Sequence, residues 1–332
     1  MSNEKESNKN HNYNHIKNVE ENLIDEINNT YGYKIRTIAS IVNSIFLYMV
    51  SSYIIYHLAS YDLVMANLLK VSEETLTLLG TFSYFLKGLG CFFSGYLSNY
   101  LSRKFLVLFS IAVVFLLNIL LFLEMNVYTY FIFIIIGSFF SGILDPINID
   151  VLCEILPIKL RGFFLCFTYT GFTINVFTQY YLIWIFSTNS VNMETILIIN
   201  SIAIFFIGLF NIFIFEDSAR HLVIKKEFDK TFEILNRYKT IPLTDEEKDI
   251  IKLQVNSGNK NITEVSLKEI FQNSYLKITV LFILMNFLSN FFNDGLVFVI
   301  NLIVLEKIPK ADDQIISSIG TTIYIFVPFA TF

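Results

Sequence analysis

The chain has 332 residues, of which 54% are hydrophobic and 16% are charged, and its formal net charge is -5. Soluble globular domains carry about a quarter charged residues, so this composition excludes a soluble protein and indicates an integral membrane protein in a lipid bilayer. No basic cluster indicates a nucleic-acid partner. Cys91, Cys153 and Cys166 lie in apolar runs without paired spacing, so we expect no disulfide framework, no metal site and no other cofactor.

The first segment, residues 1–36, is rich in Asn, Glu and Lys. It has no apolar core of the signal-peptide type, so we do not expect a cleaved leader. Its composition is typical of disorder, and we expect a disordered cytoplasmic tail.

Apolar runs long enough to cross a membrane, about 20 residues each, follow this tail. The predicted spans cover 37–58, 77–98, 105–124, 128–151, 163–186, 195–215, 277–304 and 314–332. The pattern predicts an all-α polytopic protein in three further parts. These parts are a six-helix bundle over 37–215, a cytoplasmic linker with amphipathic helices over 216–276, and two more helices over 277–332.

Lys and Arg in the short loops predict the orientation. Arg103 and Lys104 follow the second span, and Lys159 and Arg161 follow the fourth, whereas the loops after spans 1, 3 and 5 contain only Lys70. The even-numbered loops, and with them the N-terminus, are therefore expected in the cytoplasm.

The polar turn after the second span has the pattern of a known signature loop. It reads SGYLSNYLSRK and resembles the loop Gly-x-Leu-x-Asp-x-x-Gly-Arg-Lys/Arg of the major facilitator superfamily. Gly95, Leu97, Arg103 and Lys104 match, and Asn99 stands where the family has Asp.

Two further segments fall where the same family has motifs. After the fourth span, EILPIKLRG matches at Glu154, Pro157, Arg161 and Gly162. After the sixth span, FEDSARHL resembles Pro-Glu-Ser-Pro-Arg-Trp-Leu through Glu216, Ser218, Arg220 and Leu222, without the two prolines. Together the three motifs resemble the branch of the superfamily that contains sugar porters, organic-ion transporters and synaptic-vesicle-protein-like members.

The resemblance implies the major facilitator fold, with a complete N-terminal six-helix bundle and about two helices of the C-terminal bundle. It also implies a cytoplasmic gate, in which charged helix ends pair and hold two bundles together. The candidate gate residues are Arg103, Lys104, Glu154, Arg161, Glu216 and Arg220. The alternative is that the cations among them only set the topology.

Lys87 lies inside the second predicted span, about 15 Å from either end of the helix. An ionisable group at this depth is a functional candidate, because burying it in lipid is costly. Tyr84 lies on the same helical stripe. The functional interpretation is a cation that faces a central cavity and attracts an anionic solute, and the alternative is a structural ion pair with an acidic residue in the membrane.

Asp145 is such an acidic residue, in the fourth span and directly before Pro146. It is a candidate proton-coupling residue if burial raises its pKa. The alternatives are an ion pair with Lys87 or a place at the water-filled end of the cavity.

Other polar side chains occur along the spans that line the cavity in this superfamily. As further solute-binding candidates the sequence offers Tyr48, Ser51, Asn175 and Asn290. Hydrogen bonds between helices are the alternative role for such groups. Tyr169 stands where hexose porters have a solute-contacting Gln on the fifth helix, so hexose is disfavoured.

These features predict a transporter of a small organic solute, with an organic anion or metabolite favoured over hexose, that works by alternating access. A proton is the candidate coupling ion. The alternative is a truncated, non-transporting membrane protein of the same fold that binds or senses, or a non-functional fragment, since the family has twelve helices. We do not expect an enzyme, because no catalytic Ser/Lys, Ser/His or metal-ligand set occurs at helical spacing.

Overall fold

A computed structural model of the protein describes residues 35–189, 192–238, 243–245, 248–249, 251–252, 276–281 and 284–285. Its helices, in chain order, are α1 Ile35–Leu69, α2 Glu73–Tyr100, α3 Arg103–Leu123, α4 Val127–Ile155, α5 Ile158–Thr168, α6 Thr170–Asn189, α7 Met193–Ile214, α8 Ala219–Ile224 and α9 Phe228–Tyr238. The predicted seventh and eighth spans lie outside the described residues, apart from the short helical pieces 276–281 and 284–285.

α1 is longer than the span predicted from the sequence. It begins at Ile35, inside the expected tail, and continues beyond Leu58 to Leu69. The sequence of α1 contains neither Gly nor Pro, so the polar residues after Leu58 do not interrupt its backbone hydrogen bonds.

The helices α1–α7 pack into one bundle with α4 at its centre. α4 packs against α1, α2 and α3, while α7 packs against α1 and α3. Large side chains such as Tyr53, Phe133 and Leu144 are almost fully buried between these helices. Burial of this apolar surface positions the polar groups of the site at fixed heights along the bundle.

Five of the described helices are long and apolar enough to cross a membrane: α1 over Ile35–Leu58, α2 over Glu74–Tyr100, α3, α4 and α7. Large apolar side chains on α3 and α7 are exposed, among them Phe109, Leu116 and Phe206. In a membrane these side chains meet lipid, which explains an exposed surface of this kind.

The fifth predicted span is two helices instead of one. α5 and α6 meet at Tyr169, whose N–H donates to the carbonyls of Cys166 and Phe167. Gly171 follows directly, and a Cβ atom there would lie 2.1 Å from the carbonyl oxygen of Ile45 on α1. The break between α5 and α6 therefore lies beside a close contact between α6 and the backbone of α1.

The amphipathic segment after α7 is also two helices. α8 ends before Lys226, which has a φ of 60° and stops the helix, and α9 begins at Phe228. On α9 the side chains of Phe232, Leu235 and Tyr238 are buried. They pack with Val223, Leu243 and Ile251 into a small apolar cluster. α9 also contacts α1, so this cluster lies at one end of the bundle.

Candidate functional site

The first candidate site is an ion pair inside the bundle. Lys87 Nζ on α2 lies 2.9 Å from Asp145 Oδ2 on α4, and the two side chains are 18% and 23% exposed. Lys87 Nζ also donates to the carbonyl oxygen of Ser51 on α1, at 3.2 Å. Three helices thus meet at one ammonium group, and partial exposure leaves this group within reach of a solute.

Two glycines allow this ion pair to form. A Cβ atom on Gly90 would lie 2.0 Å from the carbonyl oxygen of Phe139, and one on Gly142 would lie 2.1 Å from the carbonyl oxygen of Lys87. The backbones of α2 and α4 therefore touch beside the ion pair. Only residues without a side chain permit such a close crossing.

Two of the predicted solute-binding residues are tyrosines, Tyr48 and Tyr84. Tyr48 is 7% exposed, and its ring meets the ring of Tyr169 edge-on, with the ring centres 5.5 Å apart. Tyr84 is 49% exposed and lies one turn before Lys87. Tyr169 is stacked on Phe172 at 5.2 Å between ring centres. Tyr48, Tyr169 and Phe172 thus pack as one aromatic group, and Tyr84 presents an exposed ring on the same helix as Lys87.

Two of the predicted solute-binding side chains are hydrogen-bonded within the bundle. The hydroxyl of Ser51 donates to the carbonyl of Tyr48, and Asn175 donates to the hydroxyl of Ser52 at 2.9 Å. Ser51 is 1% exposed and Asn175 is 4% exposed. Asn290 lies outside the described residues.

The second candidate site is a group of charges at one end of the bundle, which we call the charged end. There Arg103 donates to Glu154 at 3.1 Å and joins α3 to the last turn of α4. The Lys104 backbone N–H donates to Asp217, and its ammonium group donates to the carbonyl of Ile212 at the end of α7. The two adjacent cations of the sequence motif therefore bind two different neighbouring helices.

Glu216 is the most buried charged residue at this end, with 5% of its surface exposed. Its Oε1 accepts from Arg36 at 2.6 Å and from Arg237 at 2.6 Å. Neither arginine was a candidate in the sequence. Arg36 fell within the predicted tail, and Arg237 has no motif around it; the only sequence signal was the position of Arg237 on an amphipathic helix.

Arg161 and Arg220 are the remaining predicted gate residues. Arg161 donates to the carbonyl of Leu156 at 3.5 Å. Arg220 belongs to α8, and its side chain lies outside the part that the structure describes.

Arg237 and His221 are among the groups at the charged end that have shifted pKa values. Arg237 donates a hydrogen bond to Glu216, and this bond raises the pKa of the Arg237 guanidinium. The guanidinium is therefore always charged. Burial, together with Lys225 and Arg103, lowers the pKa of His221. The neutral form of His221 is therefore favoured there. Within the described ranges, no cluster of His, Cys, Asp and Glu side chains could hold a metal ion.

A family model settles the family of this protein. The model of the Major Facilitator Superfamily matches residues 37–331. The chain belongs to the major facilitator superfamily. It is therefore an integral, multi-pass membrane protein of a transporter family, which confirms the family and the fold class expected from the three motifs.

Solved structures agree with this fold. The inward-open structure of the xylose transporter XylE from E. coli is 14% identical, with a TM-score of 0.51, over 69% of this chain and 57% of that chain. The partially occluded, inward-open structure of XylE is 14% identical, with a TM-score of 0.54, over 90% of this chain and 86% of that chain. No curated protein sequence matches the chain. At this identity the likeness to XylE concerns the fold alone.

Proposed function

We propose that this member of the superfamily carries a small organic anion across its membrane by alternating access, with a proton as the coupling ion. The observation that carries the proposal is the ion pair between Lys87 and Asp145, 2.9 Å apart and partly exposed between α2 and α4. A lone cation inside a membrane is costly and attracts an anion, so a carboxylate beside Lys87 is favoured.

In the proposed coupling, the carboxylate of the solute replaces the carboxylate of Asp145 as the partner of Lys87. In the solute-free state Asp145 neutralises Lys87. A proton on Asp145 removes that negative charge, and the ammonium group then attracts the carboxylate of the solute. Asp145 Oδ1 is buried without a hydrogen-bond partner among the described residues, so a proton bound there displaces no donor.

We propose Tyr48 and Tyr84 as residues that contact the solute. Tyr48 lies one turn before Ser51, whose carbonyl binds Lys87, and Tyr84 is exposed one turn before Lys87. Ser51 contributes through its carbonyl oxygen, which orients Lys87. Asn175 supports α1 from α6, and Asn290 stays a sequence-based candidate.

We also propose that the charged end faces the cytoplasm together with the N-terminus, because the short loops there carry the Lys and Arg residues. Arg103, Lys104, Glu154, Arg161, Glu216 and Arg220 then form the N-terminal side of a cytoplasmic gate. Their described contacts hold α3, α4 and α7 in fixed relative positions.

The test is uptake by the purified full chain in liposomes, with labelled monocarboxylates, dicarboxylates and hexoses offered in turn under an inward proton gradient. We expect carboxylate uptake that falls at least tenfold in Lys87→Gln. The matched control is Lys70→Gln, which removes an exposed cation in the turn after α1 and should leave uptake unchanged.

Two results would contradict the proposal. One is uptake of hexose, but not of carboxylates, that survives Lys87→Gln. The other is tight binding of solutes by folded protein without any uptake, which would favour a binding or sensing role for the same fold.

A further inference from the structure

We infer a binding site for one buried water molecule where α1, α4, α7 and α9 meet at the charged end. The site is a cavity with about 10 Å³ of space that water can enter. Its polar lining, which we call the junction, consists of Ser40, Asn43, Ser44, Asn148, Glu216 and Tyr238. About 10–15 Å³ of such space is what a single water molecule needs.

Three of the residues that line this cavity have a buried polar atom without a partner among the described residues. Asn43 Oδ1, Ser44 Oγ and Glu216 Oε2 are buried, and none has a hydrogen-bond partner within the described ranges. Their residues are 2%, 2% and 5% exposed. An unsatisfied buried polar group costs about 1–3 kcal/mol, so three around one cavity are not expected without a ligand.

The chemistry of these atoms fits water. Asn43 Oδ1 is an amide oxygen and can only accept. The amide nitrogen of Asn43 already donates to Asn211 Oδ1 at 2.9 Å. A carboxylate oxygen of Glu216 also only accepts, whereas the hydroxyl of Ser44 can donate. A water molecule that donates to Asn43 and Glu216 and accepts from Ser44 satisfies all three atoms. Buried waters commonly make about three hydrogen bonds.

A metal cation is disfavoured at the same place by charge. The guanidiniums of Arg36 and Arg237 each lie 2.6 Å from Glu216 Oε1, the neighbouring oxygen of the same carboxylate. Two positive charges so close would repel a third, and this repulsion is strong in a buried environment. A neutral ligand of the size of water avoids this cost.

The water has a structural consequence for α9. Glu216 is the shared acceptor for Arg36 on α1 and Arg237 on α9. Tyr238 on α9 is within hydrogen-bond distance of Ser40 on α1, at 3.1 Å. By satisfying the second oxygen of Glu216, the water fixes the carboxylate that joins the two helices. Hydration of the junction therefore stabilises the attachment of α9 to the bundle.

Direct detection is the first test. The full chain in lipid nanodiscs would be imaged at a resolution that shows ordered water. We expect one density peak within hydrogen-bond distance of Asn43 Oδ1 and Ser44 Oγ. An empty cavity would overturn the inference. So would a sodium ion, recognised by a melting temperature that rises in sodium chloride but not in choline chloride.

A pair of serine variants gives the second test. Ser44→Ala removes one partner of the water, and we expect amide hydrogen exchange in α9 to become at least tenfold faster. Ser138→Ala is the matched control, because Ser138 is also buried on a bundle helix, its hydroxyl has no hydrogen-bond partner among the described residues, and it does not line the cavity. Equal effects of the two variants on α9 would contradict the inference, and the density test still decides if Ser44→Ala fails to fold.

Discussion

Lys87 and Asp145 form an ion pair in which each charge stabilises the other inside the bundle. Their side chains are mostly buried, so removal of one partner leaves an uncompensated charge inside the bundle. We expect Lys87→Ala and Asp145→Ala each to destabilise the protein more than the double variant does. The expected coupling energy is about 1–3 kcal/mol.

Thermal unfolding of the four proteins in detergent measures this cycle. Additive losses would show that the two charges do not stabilise each other, and the carboxylate-exchange step of the proposed function would then lose its basis. The pair of Arg103 and Glu154, 3.1 Å apart at the charged end, offers a comparison cycle in a different environment.

His221 makes stability depend on pH. Burial and the neighbouring Lys225 and Arg103 lower the pKa of this imidazole, whereas Asp217 and Glu227 oppose the shift. The unfolded chain therefore binds a proton at a higher pH than the folded protein does. The contribution of His221 to stability is present above about pH 6.5 and is lost as the pH falls.

We expect the melting temperature to fall by a few degrees more in the wild type than in His221→Gln when the pH is lowered from 7.5 to 5. Differential scanning fluorimetry at both pH values measures the difference. Identical pH profiles for the two proteins would show that His221 is not held in its neutral form.

The glycines on α2 and α4 set how closely these two helices approach. An added Cβ at Gly90 or Gly142 would lie 2.0 or 2.1 Å from backbone oxygen, and backbone cannot move aside as a side chain can. We expect Gly90→Ala and Gly142→Ala to separate the helices and to lower the melting temperature by many degrees.

Gly88→Ala is the control on the same helix, because a Cβ there meets nothing within 4 Å. It should be neutral or stabilising, since Ala favours a helix over Gly by about 1 kcal/mol. If all three alanine variants were equally stable, the close crossing of α2 and α4 would not be a feature of the folded protein.

The sequence predicted the long apolar helices well, because a run of about 20 apolar residues inside a membrane must satisfy its backbone hydrogen bonds within itself, as a helix does. It did not predict where helices break or stop. The break at Tyr169 has no proline, and the stop at Lys226 depends on one left-handed residue. The break at Tyr169 lies beside the close approach of Gly171 to α1, a contact that a linear pattern does not contain, whereas the stop at Lys226 is a local turn without a Gly or Pro to mark it.

The same limit applies to the site. Motif spacing identified Arg103 and Glu154, because family motifs record residues that act together. In the structure Arg103 donates a hydrogen bond to Glu154. Arg36 and Arg237 were missed because they meet at Glu216 from positions about 200 residues apart in the chain. The junction could not be predicted either, since Asn43 and Ser44 look like ordinary polar residues of a membrane helix.

The Lys and Arg residues of the short loops assign a side of the membrane to each end of the bundle. An impermeant thiol reagent added to intact cells should modify Glu124→Cys, in the exposed turn between α3 and α4, and not Lys225→Cys at the charged end. Permeabilised cells should label both. Each variant is made in a background without Cys91, Cys153 and Cys166.

The reverse labelling pattern would place the charged end outside the cytoplasm. The proposed cytoplasmic gate would then be wrong, although the ion pairs that build it would stand.

In the proposed transport mechanism, the solute and a proton meet at the pair of Lys87 and Asp145. The most direct test of this mechanism records the internal pH of liposomes that contain the full chain when a membrane-impermeant carboxylate solute is added outside. We predict acidification of the interior in the wild type and none above protein-free liposomes in Asp145→Asn. Acidification that is unchanged in Asp145→Asn, or solute uptake by the wild type without any proton movement, would contradict the account.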